Sequence, residues 1–475
     1  MIQYLFTHNR ITDLVAIINL YYKKYFIKIK IVWKDQFLWP GVEPGSPTGQ
    51  LGVITVIPPE TNVNKLRFLG WPEINPYFFL GQMRAVDLGR DSLAIIDCNG
   101  EVWLRGDFTW RGIGILWNLT KVANTPAVQY LLGDWAITCT GELLFRKLGS
   151  GQKILEEIVI YTKREEDLPP MQNACLGVHS LFLDVNGGVW GLGFDDGQLG
   201  MGQGTPKMRL QLIKIPTLPV IHLIGVGHSH SVFVDFEGIV WSCGGNAFGQ
   251  LGLGDTADRR TPQKVGPIPP VAAMHICEYH SILVDFEGKV WVFGQNSCGQ
   301  IGVGQKEPHF PEKVPNLPPV VSVKAQRTHT MFLDVHGCVW VCGRGDQLGL
   351  GGSNTRDEPE IIPLSHKLVA VETSYHHSLF LDEDGIVWYC GSSKTLSIPT
   401  VKIPIKINGV PPIQQIFVGP GNSILVDMEG LVWLHGHFIS PNGEQFVDPP
   451  QRVSEQIKIM LDTRVLRTKS ARNHS

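Results

Sequence analysis

The chain has 475 residues, 43% of them hydrophobic and 18% charged, with a formal net charge of −3. That balance allows a large buried core and excludes a polyanion binder that works by overall charge. Fifty-two glycines and 32 prolines point to many short strands joined by turns rather than to long helices. The nine cysteines are odd in number and contain no C-x-x-C pair. They read as thiols of a reducing compartment, so the expectation is an intracellular protein, cytoplasmic or nuclear. No cleavable leader is legible near Leu14 to Tyr22, and no apolar run is long enough for a spanning helix.

Residues 1–60 read as an N-terminal extension. Asp13 to Tyr25 carries apolar residues at helical spacing, with Thr12 or Asp13 as the cap, and predicts a short helix. Phe26 to Trp33 alternates apolar residues with lysine and predicts a strand with one wet face. Lys23, Lys24, Lys28, Lys30 and Lys34 give the region a basic bias. A partner-docking or membrane-surface helix is one reading; a solvated face packed on the main domain is the simpler one. The order of helix, Trp33-Lys34 and Phe37-Leu38-Trp39 resembles a degenerate F-box, the helical module that joins substrate-binding domains to ubiquitin ligases. The Leu-Pro opening of that module is replaced here by Leu5-Phe6. Gly49-Gln50-Leu51-Gly52 already echoes the repeats that follow.

Residues 61–455 are a repeat array. Seven copies of one skeleton centre on Trp103, Trp190, Trp241, Trp291, Trp340, Trp388 and Trp433. Six residues before each stands an aspartate: Asp97, Asp184, Asp235, Asp285, Asp334, Asp382 and Asp427. Glycine lies three before and three after each tryptophan, and valine directly precedes it. The wide gap between Trp103 and Trp190 has room for a weak copy, with Leu144 in the Trp slot and Thr138 in the Asp slot. A unit of this length belongs to propellers and solenoids. Within each unit an apolar run, a turn opened by Asp and relaxed by Gly, and a returning Val-Trp strand make a β-hairpin. Gly-rich turns such as Gly299 to Gly304 follow, and then Pro-rich connectors such as Leu317-Pro318-Pro319-Val320. The expected fold is all-β, a β-propeller of radially repeated small sheets.

The pattern His-Ser, D-x-x-G-x-V-W-x-x-G, then G-Q-L-G-x-G resembles the RCC1 (regulator of chromosome condensation) repeat. Gly197 to Gly202 and Gly249 to Gly254 match its last part, and Asp346 to Gly351 nearly so. The resemblance covers about 80–450. It implies an RCC1-like propeller in which repeats are offset from blades, so that the two chain ends share one blade. It favours seven blades, while the eight hairpin signals allow eight. WD40 and kelch propellers are excluded: no repeat Trp is followed by Asp, and Gly-Gly doublets do not recur in register.

Five histidines fall eleven residues before their tryptophans: His179, His230, His280, His329 and His377, with Asn422 in that slot of the last unit. Each belongs to a different unit and precedes Ser or Thr, so a structural role, bonding backbone in its own or the next blade, is expected rather than a metal ring. The repeated aspartates are explained by turn chemistry rather than acid–base catalysis. Gly244 to Gly249 lacks the order of a nucleotide loop. Cys243, Cys277, Cys298, Cys338, Cys342 and Cys390 read as buried small hydrophobes. The chain is therefore expected to have no catalytic, cofactor or metal site and to be a monomeric, non-enzymatic scaffold for protein–protein interaction.

Specific contacts belong on the irregular loops: Lys163 to Asp167, Asp255 to Arg260 and Asn354 to Glu360. A basic C-terminal tail, residues 456–475, is the one segment suited to nucleic acid. The family resemblance, with the F-box-like start, implies a substrate-binding adaptor with ubiquitin-ligase subunits as partners. Its alternatives are a guanine-nucleotide exchange factor for a Ran-like small GTPase, with Lys147 to Pro170 the candidate wedge, and a chromatin-binding protein.

Overall fold

The computed structural model describes strands at 28–33 and 52–57, interrupted stretches between 86 and 163, and 168–452 apart from 203–207, 353, 393–399 and 441–442. The chain divides into two units, Met1–Ile74 and Asn75–Ser475. In the first, Lys28–Trp33 and Gly52–Ile57 pair antiparallel, with Lys28 opposite Ile57 and Trp33 opposite Gly52. The strand expected over 26–33 is thus present in its larger part. The expected helix over 13–25, Phe37 to Trp39 and the tail beyond Arg452 lie outside the described residues.

In the second unit the D-x-x-G turns set the pattern. In blade 4, as the sheet of 221–264 is called here, the Asp235 carboxylate accepts the backbone N–H of Glu237 and of Ile239 on one oxygen. Its other oxygen accepts Trp241 Nε1 at 3.1 Å. The turn and the returning strand are therefore fixed by one side chain, and Gly238 takes the left-handed backbone that closes the turn. The same triple contact recurs at Asp97, Asp184, Asp285, Asp334, Asp382 and Asp427, with Trp Nε1 to carboxylate distances of 2.9–3.3 Å.

Each hairpin gains a strand on either side. The described residues hold eight four-stranded antiparallel sheets, blades 1 to 8, at 86–121, 128–163, 171–214, 221–264, 271–313, 320–361, 368–406 and 413–452. This is the larger of the two blade numbers that the repeats allow. Every sheet uses four consecutive strands, and blade 8 packs on blade 1 through their first strands and their third strands. The ring closes blade against blade, so the shared blade that the resemblance implies is replaced by a whole one. The weak copy is itself blade 2: Glu142 N–H bonds the Thr138 hydroxyl at 2.9 Å, and Leu144 is buried where the other blades carry Trp.

The second strand of blades 4 to 8 is buried at all six positions, because neighbouring blades cover both its faces. Hence it reads as an unbroken apolar run rather than an alternation. Phe182 in the same strand of blade 3, and Phe233, Phe332 and Phe380 in blades 4, 6 and 7, are wholly buried and pack against the preceding blade. On what we call the lower face, the glycine carbonyl of the turn in blades 1 to 7 accepts the N–H that opens the next blade. Gly187 receives Ile221, Gly238 receives Val271, Gly288 receives Val320 and Gly337 receives Leu368, at 2.8–2.9 Å. A side chain on Gly238 would collide with Pro270, so the Pro-rich connector and the turn glycine require each other.

Candidate interaction surface

Because successive strands are antiparallel, the turns between first and second strands and the Gly-rich loops share the opposite, upper face. Directly beneath it run the repeat histidines. His179 Nε2 faces Ser231 Oγ of the next blade at 2.7 Å, and Ser231 donates to the Gln198 carbonyl in the Gly-rich loop of the first at 2.7 Å. His230 and Ser281 repeat this with Gln250, at 3.1 Å in both steps. Since the serine hydroxyl donates to a carbonyl, it accepts from histidine, which fixes these rings with the proton on Nε2. His329 reaches Thr373 Oγ1 at 2.6 Å and His377 reaches Ser423 Oγ at 2.9 Å. Four of the five histidines thus bond a hydroxyl side chain of the next blade, where backbone partners were expected, while the buried Nε2 of His280 has no such partner among the described residues. Ser231, Ser281 and Thr330, each following a repeat His, donate in turn to the Gln198, Gln250 and Gln300 carbonyls.

Burial holds these imidazoles neutral: His179 is pushed down to about 4, and His230, His280 and His329 to about 3. Among the described residues no group of His, Cys, Asp or Glu is arranged to hold a metal ion. Cys243, Cys342 and Cys390 are buried, their thiols pushed up by burial, and they donate to the carbonyls of Gln198, Gln300 and Gln347. Those carbonyls bind one blade to the next. Cys277 is buried too, but Cys298 and Cys338 are only half-buried, because both sit in surface turns rather than strands.

The loops picked out as irregular divide. Residues 164–167, with most of the candidate wedge, lie outside the described residues. Arg356–Ile361 is an outer strand, so Asn354 to Glu360 is chiefly a sheet edge rather than a loop. Asp255 to Arg260 forms an ordered turn: Arg259 pairs with Asp255 at 2.6 Å, and Arg260 with Asp196 of blade 3 at 3.0 Å.

A different cluster stands out on the upper face, at the dipeptide just before each repeat histidine. That slot reads Gly177-Val178, His228-Ser229, Glu278-Tyr279, Arg327-Thr328, Tyr375-His376 and Pro420-Gly421. The Tyr375 hydroxyl donates to Glu278, across the intervening blade 6. Arg327 approaches the same carboxylate at 3.7 Å and lies 5.9 Å from the Tyr279 ring centroid. Tyr279 in turn meets His228 at 5.4 Å and Phe248 at 5.3 Å, and the Arg344 backbone bonds the carbonyl of Thr328. Burial and the Glu278 carboxylate push the Tyr375 phenol up to about 12, so it stays a donor. Tyr375 is 45% exposed, and His228, Arg327 and Arg344 are exposed as well. The patch spans blades 4 to 7 and is missing from the repeat signature; its signal was the one slot that varies inside a constant frame.

The geometry is that of RCC1 repeats in a propeller, and the comparisons agree. The model of the regulator of chromosome condensation (RCC1) repeat matches residues 237–284 and 287–333. The ultraviolet-B receptor UVR8 of Arabidopsis thaliana is 45% identical over 76 residues, 16% of this chain and 17% of that protein. The probable E3 ubiquitin-protein ligase HERC4 of Rattus norvegicus is 32% identical over 161 residues. That match takes in 31% of this chain and only 15% of HERC4. Among solved structures, human WBSCR16 superposes with a TM-score of 0.54 at 20% identity, over 67% of this chain and 94% of that one. Prp20p of Saccharomyces cerevisiae, described with its binding to Gsp1p and histones, gives 0.50 at 18%, over 64% and 86%. This chain therefore carries RCC1 repeats on an RCC1-like β-propeller. Among the described residues no helix is long and apolar enough to cross a membrane.

Proposed function

We propose that this chain is a protein-interaction scaffold that binds its partner through the upper-face patch of blades 4 to 7, and that it serves as a substrate-binding adaptor in a ubiquitin-ligase assembly. The observation that carries the reading is the division of labour among residues. The repeated Asp, Trp, His, Ser and Gln are used up in holding blades together, whereas Glu278, Tyr279, Arg327 and Tyr375 are unrepeated and outward. Tyrosine and arginine over a rigid base are the residue types that dominate binding energy at protein interfaces. The HERC4 likeness supports the ubiquitin-ligase part of the reading, as does the F-box-like start. The exchange-factor reading has the propeller fold alone behind it.

The test is affinity capture with the tagged full chain and with a Tyr279→Ala/Tyr375→Ala variant, components being identified by mass spectrometry. Ubiquitin-ligase subunits together with a partner lost on the double substitution support the proposal. A captured small GTPase whose nucleotide release the chain accelerates would replace it with the exchange-factor reading. Equal capture by both proteins rejects the patch as the binding surface.

A further inference from the structure

The charges of the patch are unevenly used. Its carboxylate, Glu278, is engaged by two donors, the Tyr375 hydroxyl and the Arg327 guanidinium. Arg327 approaches through Nε at 3.7 Å while its side chain stays 56% exposed. Arg344 is carried next to it on blade 6, since its N–H bonds the carbonyl of Thr328 at 2.8 Å. It is exposed, and among the described residues no ion pair is seen at its guanidinium. The nearest acid in sequence, Asp346, is paired with Lys402 at 3.7 Å. Beside Arg327 lies Tyr279, which meets Phe248 and His228 in one continuous run of ring contacts. The patch thus offers two exposed arginines on neighbouring segments of blade 6, one of them against an aromatic face, and the carboxylate described within it, Glu278, is already engaged.

We infer that the upper-face patch recognises an acidic segment of the partner protein, with Asp or Glu side chains of an extended peptide set on Arg327 and Arg344 and neighbouring apolar side chains on Tyr279 and Phe248. This inference rests on the reading of the patch as the binding surface. Arginine forks match carboxylates in a bidentate way, and a cation already positioned by an aromatic ring loses little freedom on binding. A strongly basic segment would meet two exposed guanidiniums with no free carboxylate to answer it.

Fluorescence anisotropy with labelled acidic, neutral and basic peptides of matched length, titrated with the full chain, tests the inference. The acidic peptide is expected to bind best, to weaken as salt is raised, and to lose about tenfold in affinity for each of Arg327→Glu and Arg344→Glu. Arg327→Lys and Arg344→Lys restore part of that loss if charge is what is read. Binding of the basic or neutral peptide in preference, or binding of the acidic peptide unchanged in the Arg327→Glu/Arg344→Glu variant, overturns it. So does preference for a phosphorylated peptide or an oligonucleotide over the carboxylate peptide. Partner capture that survives both arginine reversals but fails in Tyr279→Ala/Tyr375→Ala overturns the acidic partner alone and leaves the binding surface standing. Capture that survives all of these variants removes both.

Discussion

Blades 2 and 5 are the same four-stranded sheet built with different means. In blade 5 Asp285 receives two backbone N–H groups and Trp291 Nε1, joining turn, strand and indole through one carboxylate. In blade 2 Thr138 supplies one hydroxyl to the turn, accepting Glu142 N–H, and Leu144 simply fills the core. Both turns keep the glycine in left-handed backbone and both pass its carbonyl to the next blade: Gly141 receives Met171 and Gly288 receives Val320. What the fold needs, then, is the turn acceptor, the glycine and the bond to the next blade. The indole bracket adds stability on top of that. In sequence, blades 1 and 2 also differ from blades 3 to 7, since the slot of the repeat histidine is filled by Ser92 and Gly133.

The largest expected effect separates the two halves of the ring by pH. His179, His230, His280 and His329 are buried and neutral, their pKa values pushed down to between about 3 and about 4 by loss of solvent. In the unfolded chain they would take up protons near 6.5, so the unfolded state binds more protons as pH falls. Stability is complete above pH 6.5 and is lost progressively down to about pH 4 and below, each histidine adding up to about 1.4 kcal/mol per pH unit. Hydrogen exchange at pH 5 should show opening first in blades 3 to 6 and later in blades 1 and 2. Uniform opening would break the comparison.

Asp285→Ala comes next. It strands two backbone donors and an indole N–H, and should cost about 3 kcal/mol or more in urea unfolding. Thr138→Ala strands one donor and should cost about 1 kcal/mol. Equal costs for the two would mean that the bracket to Trp contributes nothing. Ser231→Ala should fall between them, at about 2 kcal/mol, because it removes both the acceptor of His179 and the donor to Gln198. The smallest effect is expected at Tyr375→Phe. Losing one surface bond to Glu278 should shift unfolding by no more than about 0.5 kcal/mol while weakening the partner.

These pairs also show what the chain made legible. The Asp-to-Trp contact acts over six residues within one hairpin, so fixed offsets display it, and the turn role of Asp235 could be read directly. The histidine contact joins residues about one repeat apart on different blades, as in His179 with Ser231. Spacing pointed to a structural role but to backbone as the partner, whereas the structure supplies hydroxyl side chains of the next blade. The closing of the ring by a whole blade 8 was hidden for a related reason, since strand order within a repeat does not say where the last sheet is completed. The patch was hidden for the opposite reason. Glu278, Tyr279, Arg327 and Tyr375 obey no period, and a reading organised by recurrence passes over the positions that differ.

The central claim is that repeated residues build the ring while the unrepeated patch binds. It is tested most directly by measuring partner affinity and thermal unfolding together for the Arg327→Glu/Tyr375→Ala variant. The account predicts about a tenfold or greater loss of affinity with unfolding shifted by no more than about 1 kcal/mol, too little to unfold the ring. Affinity that is unchanged, or that falls only in step with lost stability, would contradict it.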